Sequence, residues 1–299
     1  MSNWQVGFYL FLFWLFSSVV PRRLHPLFTA LGNNIVFPLM SKTRKVVEAN
    51  LRTIGRGRYG KREISRLAKR CFRNYSHKLL DYMSMHRLDV SNRWKLVERE
   101  VGEEHLVEAL KRGRGVICIT PHLGNWELGG YVLASKGYPV NILTLKEESG
   151  YLRKYEEKVR RQFGIHSISI DPSHEPNLAI VEIARKLREN QIVALIADRM
   201  VGDRWMEVKF FGRPTKFPVG PALLAMETEA SVIPVFVVLG EGMKYRGILE
   251  KPILFGDPVH GGEESLRRGI GEIVQSFERM ISRYPDQWYN FFPYWNKGE

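Results

Sequence analysis

The chain has 299 residues, of which 44% are hydrophobic and 12% aromatic, enough to bury one large core. Its 45 Lys and Arg residues outnumber 32 Asp and Glu residues, and the net charge of +13 favours anionic partners. Such partners are phospholipid headgroups, an acidic carrier protein or nucleic acid, and nucleic acid is disfavoured because no zinc-finger, RRM or homeodomain signature is present. Two isolated cysteines, Cys71 and Cys118, exclude a disulfide framework and are expected to be small buried hydrophobes.

The N-terminus is the most apolar part of the chain. Residues 4–20 are almost wholly apolar and aromatic, and Pro21-Arg22-Arg23 come directly after them. A helix over 7–20 would span about 21 Å, less than a hydrocarbon core of roughly 30 Å. The stretch lacks the basic start and the cleavage site of a signal peptide, and the arginines place the rest of the chain on the cytoplasmic side. We predict an uncleaved anchor and membrane-surface segment over 1–40, which spans or lies in the inner membrane, and a catalytic domain over 41–299.

The rest of the chain predicts an α/β fold with a mixed central sheet flanked by helices. Apolar residues at helical spacing predict a packed helix over 62–87, whose basic face meets lipid. Next, helices over 103–111, 125–136, 151–163 and 176–190 alternate with strands over 116–120, 140–145, 166–170 and 192–198. The pattern then becomes strand-rich, with strands over 207–211, 232–239 and 246–254 around a helix over 218–229. A long helix over 264–284 precedes an aromatic tail.

The segment His122-Leu-Gly-Asn-Trp-Glu127 directly follows the apolar run of the predicted strand over 116–120. A buried strand that ends at a histidine, with a carboxylate at the start of the next helix, suits a general base held by an acid. His166 and Asp171 have the same spacing, but alternating residues there predict a strand, which places the two side chains on opposite faces. At His122 a Gly-Asn turn breaks the strand, and Asn125 is a candidate N-cap. A satisfied structural histidine is the alternative.

Other motifs are excluded or absent. The glycines of Gly55-Arg-Gly-Arg-Tyr-Gly-Lys61 imitate a phosphate-binding loop, but Arg62 stands where that loop needs a hydroxyl, so a basic surface turn is expected. The sequence contains no G-x-S-x-G nucleophile motif, no zinc-binding histidine motif and no cysteine pair. We therefore expect no metal ion and no cofactor.

Three segments together resemble a known family. They are His122–Glu127, the strand over 192–199, and Phe210-Phe-Gly-Arg-Pro214 leading to Pro218-Val-Gly-Pro-Ala222. The chain is similar to the bacterial lipid A biosynthesis (lauroyl/myristoyl) acyltransferases, within the glycerophosphate and lysophospholipid acyltransferase superfamily. The resemblance covers nearly the whole chain, from the N-terminal anchor to the closing Pro285-Asp-Gln-Trp288. It implies an enzyme at the cytoplasmic face of the membrane that moves an acyl chain from acyl carrier protein or coenzyme A onto a lipid hydroxyl.

The resemblance also implies roles for individual residues. His122 would remove the proton of the acceptor hydroxyl, while Glu127 orients the imidazole and stabilises the imidazolium. No serine or cysteine is placed as a nucleophile, so direct transfer is expected.

Five further residues are candidates for substrate binding by the same resemblance. Asp198 and Arg199 occupy an Arg-containing block after a strand, and Arg199 would bind the acceptor's phosphate or form a structural salt bridge. Arg161 resembles a basic position of the family, with a solvated helix face as the alternative. Gly212 and Arg213 would help to shape the acyl and headgroup cleft, unless the glycine serves a turn.

The C-terminus differs from the family pattern, because Pro293 and Tyr294 stand where a basic pair is usual. An aromatic tail suits a membrane interface. A lysophospholipid or another glycolipid therefore stays open as the acceptor beside a lipid A precursor. Two other functions also stay open: an acyl-thioester hydrolase, in which water replaces the acceptor, and a non-catalytic membrane lipid-binding protein.

Overall fold

A computed structural model describes residues 14–85, 96–145, 150–170, 177–200, 202–256 and 262–295, and a seven-stranded sheet lies at the centre of these residues. The strands along the chain are β1 (Val97–Val101), β2 (Val116–Thr120), β3 (Val140–Leu145), β4 (His166–Ile170), β5 (Ile192–Ile196), β6 (Trp205–Phe210), β7 (Arg213–Pro218), β8 (Ser231–Leu239) and β9 (Tyr245–Leu249). The sheet order is β1-β9-β8-β2-β5-β3-β4, and β6 and β7 form a separate antiparallel hairpin. Only β8 and β9 pair antiparallel in the sheet. The predicted mixed sheet is confirmed.

Helices cover both faces of the sheet. They are α1 (His25–Leu39), α2 (Ser41–Gly55), α3 (Lys61–Met83), α4 (Glu103–Lys111), α5 (Trp126–Ser135), α6 (Gly150–Gln162), α7 (Asn177–Arg188), α8 (Gly220–Thr228) and α9 (Gly262–Arg283). The central strand β2 contributes Ile117 and Ile119 to one hydrophobic core and Val116 and Cys118 to the other. Because β2 is covered on both faces, its residues are apolar without alternation.

Most predicted elements agree with the structure, and the differences have local causes. The elements α4, β2, β3 and β4 have the predicted bounds. The strand predicted over 246–254 ends at Leu249, ahead of Pro252. Strand β1 was missed because its sequence, Val-Glu-Arg-Glu-Val, is charge-rich, as an edge strand can be. Cys71 and Cys118 are buried and free, as predicted.

The aromatic tail packs into the protein. Trp288 and Tyr289 are each 3% exposed, and Phe291, Tyr294 and Trp295 pack against the same core. The prediction that the aromatic tail lies at a membrane interface was wrong for Trp288 and Tyr289, because both side chains are buried inside the protein.

Helix α1 has an inverted distribution of polar and apolar residues. Its inward residues are His25, Thr29, Asn33 and Phe37, whereas large apolar side chains on the outer surface are exposed: Leu27, Phe28, Leu31, Ile35, Val36 and Leu39. Within the described ranges, no helix is both long and apolar enough to cross a membrane. Residues 1–13, the first part of the anchor and membrane-surface segment predicted over 1–40, lie outside those ranges.

A buried carboxylate ties the start of this region to the domain. Asp81 on α3 accepts two hydrogen bonds from Arg22, at 2.8 and 2.9 Å, and one from the Tyr245 hydroxyl at 2.9 Å. His77 lies 3.2 Å from the same carboxylate. Burial opposes ionisation, but the nearby imidazoles of His25 and His77 and the guanidinium of Arg22 outweigh it and hold the pKa of Asp81 well below its usual range.

Replacing Arg22 with Met should destabilise the fold by about 3 kcal/mol, because the buried Asp81 would lose its bidentate partner. Arg23 is its exposed neighbour, and Arg23→Met should change stability by less than about 0.5 kcal/mol. Urea unfolding in detergent measures both. Equal effects of the two substitutions would contradict the role given to Arg22.

Candidate active site

The residues around His122 are joined to the sheet by backbone hydrogen bonds. The Asn125 amide donates to the Val237 carbonyl at 2.7 Å, so the segment continues alongside β8. On its other side the Gly124 amide donates to the Gln287 carbonyl at 2.9 Å, and the Tyr289 amide donates to the His122 carbonyl at 2.8 Å. The segment is therefore held between β8 and the C-terminal tail.

Two residues of the motif fix the turn into α5. Gly124 has a φ of +64°, and a Cβ atom at this position would meet the Val237 carbonyl oxygen at 2.0 Å. Only glycine fits there. The side chain of Asn125 accepts a hydrogen bond from the Leu128 amide at 3.3 Å, which confirms the predicted N-cap.

The carboxylate that orients His122 is Asp198, just after β5. Oδ1 of Asp198 lies 2.6 Å from His122 Nδ1, and Oδ2 accepts from the His122 amide at 3.0 Å. Trp288 Nε1 also donates to Oδ2, at 2.9 Å. Burial raises the pKa of Asp198, but the attraction and hydrogen bonds of His122 outweigh it and lower the pKa to about 2. An ionised Asp198 accepts, so Nδ1 carries the proton and Nε2 holds the free lone pair.

Glu127 has a different neighbour. Its carboxylate lies 3.3 Å from Nη2 of Arg160 on α6, and the same guanidinium lies 3.7 Å from Glu156. The sequence predicted that Glu127 orients the imidazole of His122. In the structure, the carboxylate that contacts Nδ1 of His122 belongs to Asp198. The reason is topological: β2 and β5 are adjacent and parallel, so their carboxyl ends meet. Glu127 still lines the same cavity as His122.

The predicted substrate-binding residues fall into two groups. Arg199 lines the cavity beside His122, and it donates to the Asn290 side chain and the Tyr289 carbonyl, each at 2.9 Å. Arg161 points away: its side chain is 80% exposed and pairs with Glu157 one helical turn earlier. Gly212 and Arg213 lie in the exposed turn of the β6–β7 hairpin. Arg161, Gly212 and Arg213 are not among the described residues that line the cavity.

Sequence reasoning missed Arg160, Trp288 and Asn290. Arg160 directly precedes Arg161, and which of the two side chains faces the site depends on the rotation of α6 about its own axis. Trp288 and Asn290 hydrogen-bond to Asp198, which lies about ninety positions earlier in the sequence. The single sequence feature that indicated a role for this segment was the Gln-Trp pair in the tail.

A large cavity opens beside His122. Its volume is about 1310 Å³, and it lies among the carboxyl ends of the strands, α5, α7 and α8. Its charged lining residues are Glu127, Glu156, Glu157, Arg160, Arg199, Asp203, Arg204 and Glu227. Most of the remaining wall is apolar and includes Ile142, Leu143, Ile170, Ile183, Leu195, Leu223 and Leu224. Among the described residues, no cluster of three or more His, Cys, Asp or Glu side chains could hold a metal ion.

The His122–Asp198 pair thus lies on the wall of a mainly apolar cavity, and such a lining is typical of a protein that binds a molecule with a long apolar group. The comparisons with known proteins agree with this class. The chain belongs to the bacterial lipid A biosynthesis acyltransferase family, whose profile matches residues 1–297.

Similar curated proteins are phosphatidylinositol mannoside acyltransferases. The protein of Mycobacterium tuberculosis is 31% identical over 215 residues, which are 70% of this chain and 65% of the relative. That of Mycolicibacterium smegmatis is 31% identical over 195 residues, which are 64% of this chain and 60% of the relative. The chain thus spans less than two thirds of the length of these relatives.

Replacing Gly124 with Ala should destabilise the protein by about 3 kcal/mol or more, because a strained φ is combined with a clash against Val237. Gly57 is the matched control: its φ is +83°, but a Cβ atom there meets nothing within 4 Å. Gly57→Ala should cost only the backbone term of about 1 kcal/mol. Chemical unfolding of both variants checks the difference, which a similar loss in the two would refute.

Proposed function

We propose that the protein is an O-acyltransferase that moves a fatty acyl chain from a thioester, on acyl carrier protein or coenzyme A, to a hydroxyl of a glycolipid. The observation that carries the proposal is the His122–Asp198 pair on the wall of the apolar cavity. Membership of an acyltransferase family supports it.

In the proposed reaction, the oxygen of the acceptor hydroxyl attacks the thioester carbonyl carbon, and Nε2 of His122 accepts the proton of that hydroxyl. Asp198 keeps Nδ1 protonated and stabilises the imidazolium that forms. The tetrahedral intermediate collapses, the carbon–sulfur bond breaks, and the imidazolium returns the proton to the leaving thiolate. The products are an ester and a free thiol, and His122 ends neutral.

The two parts of the cavity suit the two parts of the reaction. The apolar wall would bury the acyl chain, because each methylene removed from water contributes about 0.8 kcal/mol. The charged rim around His122 would bind the acceptor's polar headgroup. There, Arg199 is the candidate for a phosphate, and the carboxylates of Glu127 and Glu156 can accept hydrogen bonds from sugar hydroxyls.

A glycolipid is the acceptor that these features favour. Relatives named for phosphatidylinositol mannoside support an acceptor that combines a phosphate with sugar hydroxyls. A lipid A precursor has the same two kinds of group, whereas a lysophospholipid need not offer a sugar hydroxyl to the carboxylates of the rim.

The outer face of α1 supports a position at a membrane surface. Leu27, Leu31, Ile35 and Leu39 recur at helical spacing and are all exposed, while the polar residues His25, Thr29 and Asn33 are buried. A helix in water would have the reverse arrangement. The outer face therefore suits the acyl region of a bilayer, with the excess of positive charge on the protein attracted to anionic headgroups.

His122→Ala should reduce acyl transfer by at least about a thousandfold, and Asp198→Asn by about a hundredfold or more, because the base or its orientation is lost. His166→Ala is the control, since His166 is half exposed and pairs with Glu182 at 2.8 Å. Labelled acyl donor and a lipid extract in detergent give the assay. Unchanged transfer by His122→Ala would refute the proposed base.

The same assay separates the alternative functions. Release of free fatty acid at a rate independent of added lipid would identify a thioester hydrolase. Neither ester nor fatty acid with any donor would favour a lipid-binding protein without catalysis.

The double substitution Leu31→Glu and Ile35→Glu should raise the lipid concentration needed for half-maximal sedimentation with anionic vesicles, because it places two charges on the apolar face of α1. Ala49→Glu adds a charge to an exposed position of α2 and should leave sedimentation with vesicles unchanged. Full vesicle binding by the double variant would exclude α1 as the membrane contact.

A further inference from the structure

A buried lysine lies directly behind the candidate active site. Lys78 is on α3 and is 7% exposed. Its Nζ atom lies 3.2 Å from the centroid of the Trp126 indole and 5.9 Å from that of the Tyr75 ring. An ammonium over an indole face is attracted to it within about 6 Å, and the attraction is larger where water is excluded.

Trp126 connects this lysine to the base. Its indole lines the cavity, and its centroid lies 5.2 Å from that of the His122 imidazole, with the two planes 72° apart. Lys78, Trp126 and His122 therefore form a continuous series of contacts from α3 to the end of β2. On the other side of the imidazole, Asp198 fixes Nδ1. The imidazole is thus held by a hydrogen bond and by an edge-to-face ring contact.

We propose that Lys78 is a positioning residue for His122, which acts through Trp126: the ammonium holds the indole face, and the indole fixes the imidazole. This inference rests on the proposed function, because it assigns His122 as the base. A small misplacement of a base can cost a large factor in rate. The contribution of Lys78 should accordingly appear in kcat rather than in KM.

The charge of Lys78 depends on groups from each element around it. Burial lowers the pKa of Lys78 from 10.5 to about 7, while the carboxylates of Glu127 on α5 and Glu156 on α6 oppose this and Arg199 adds to the lowering. The phenol of Tyr75 faces the ammonium from α3 itself. As the pH rises through about 7, the ammonium loses its proton, and the attraction to the indole is lost with it.

The expected consequence is a loss of activity above neutral pH. Lys78→Arg retains a charge that does not titrate in this range. Lys78→Met retains much of the side-chain volume without any charge.

The experiment measures kcat and KM across neutral pH for the wild type, Lys78→Arg and Lys78→Met, with Lys69→Met as the control on the exposed side of α3. We expect a decrease in kcat above about pH 7 in the wild type and in Lys69→Met. Lys78→Arg should retain its kcat there. Below about pH 7, Lys78→Met should have a kcat about tenfold or more lower than the wild type, with no further decrease above that pH and with KM within about twofold of the wild type.

Fluorescence provides a readout that requires no turnover. The emission of Trp126 is obtained as the difference between each protein and its Trp126→Phe counterpart. This difference should titrate near pH 7 in the wild type and be independent of pH in Lys78→Met. The proposal is overturned if the Trp126 emission of the wild type does not titrate, or if Lys78→Met keeps the kcat and pH profile of the wild type. Failure of the proposed function is distinguishable, because it would show as transfer by His122→Ala.

Discussion

The site depends on the hydrogen bonds that surround the buried carboxylate of Asp198. It is buried and accepts from the amide of His122, from the indole of Trp288 and from the side chain of Asn290, and it contacts Nδ1 of His122. A buried ionised carboxylate is tolerated only when such donors surround it. The ends of β2 and β5 and the C-terminal tail each supply part of that environment, so none of them can move without leaving the carboxylate unsatisfied.

Charged groups are concentrated on one side of the base. Lys78, Glu127, Glu156 and Arg160 lie close together between α3, α5 and α6. Burying this set is expensive in free energy, since each ion loses hydration and recovers only part of it from its neighbours. A network of this kind fixes a unique arrangement of side chains more than it adds stability. The rim of the cavity is thereby held in shape before a substrate arrives.

The sequence predicted most of the fold, and it indicated both His122 and Asp198 without pairing them. The strand that ends at His122 and the cap at Asn125 were predictable because apolar runs and capping residues are local signals. The hydrogen-bond partner of His122 was not predictable. Asp198 lies 76 positions away in the sequence, whereas Glu127 is close to His122 and was the acidic residue that the local pattern indicated. Neighbouring side chains on a helix point about 100° apart, and a pair of arginines in the sequence does not show which of the two faces the site. The sequence therefore indicated Arg161, whereas Arg160 lines the cavity. Gly212 proved to be in a solvent-facing hairpin turn, where its φ of +77° explains the glycine.

The packing of the tail has a consequence for the order in which the protein acquires its shape. Residues 287–290 pair with the His122 segment and complete the shell of Asp198, yet they are synthesised after the whole of the sheet. Chains emerge from the ribosome in sequence order, so the strands and the cavity can form before the Trp288 indole and the Asn290 amide reach the Asp198 carboxylate. The last segment then locks a site whose walls already exist. Until that segment is in place, the buried carboxylate has two donors fewer than in the finished protein.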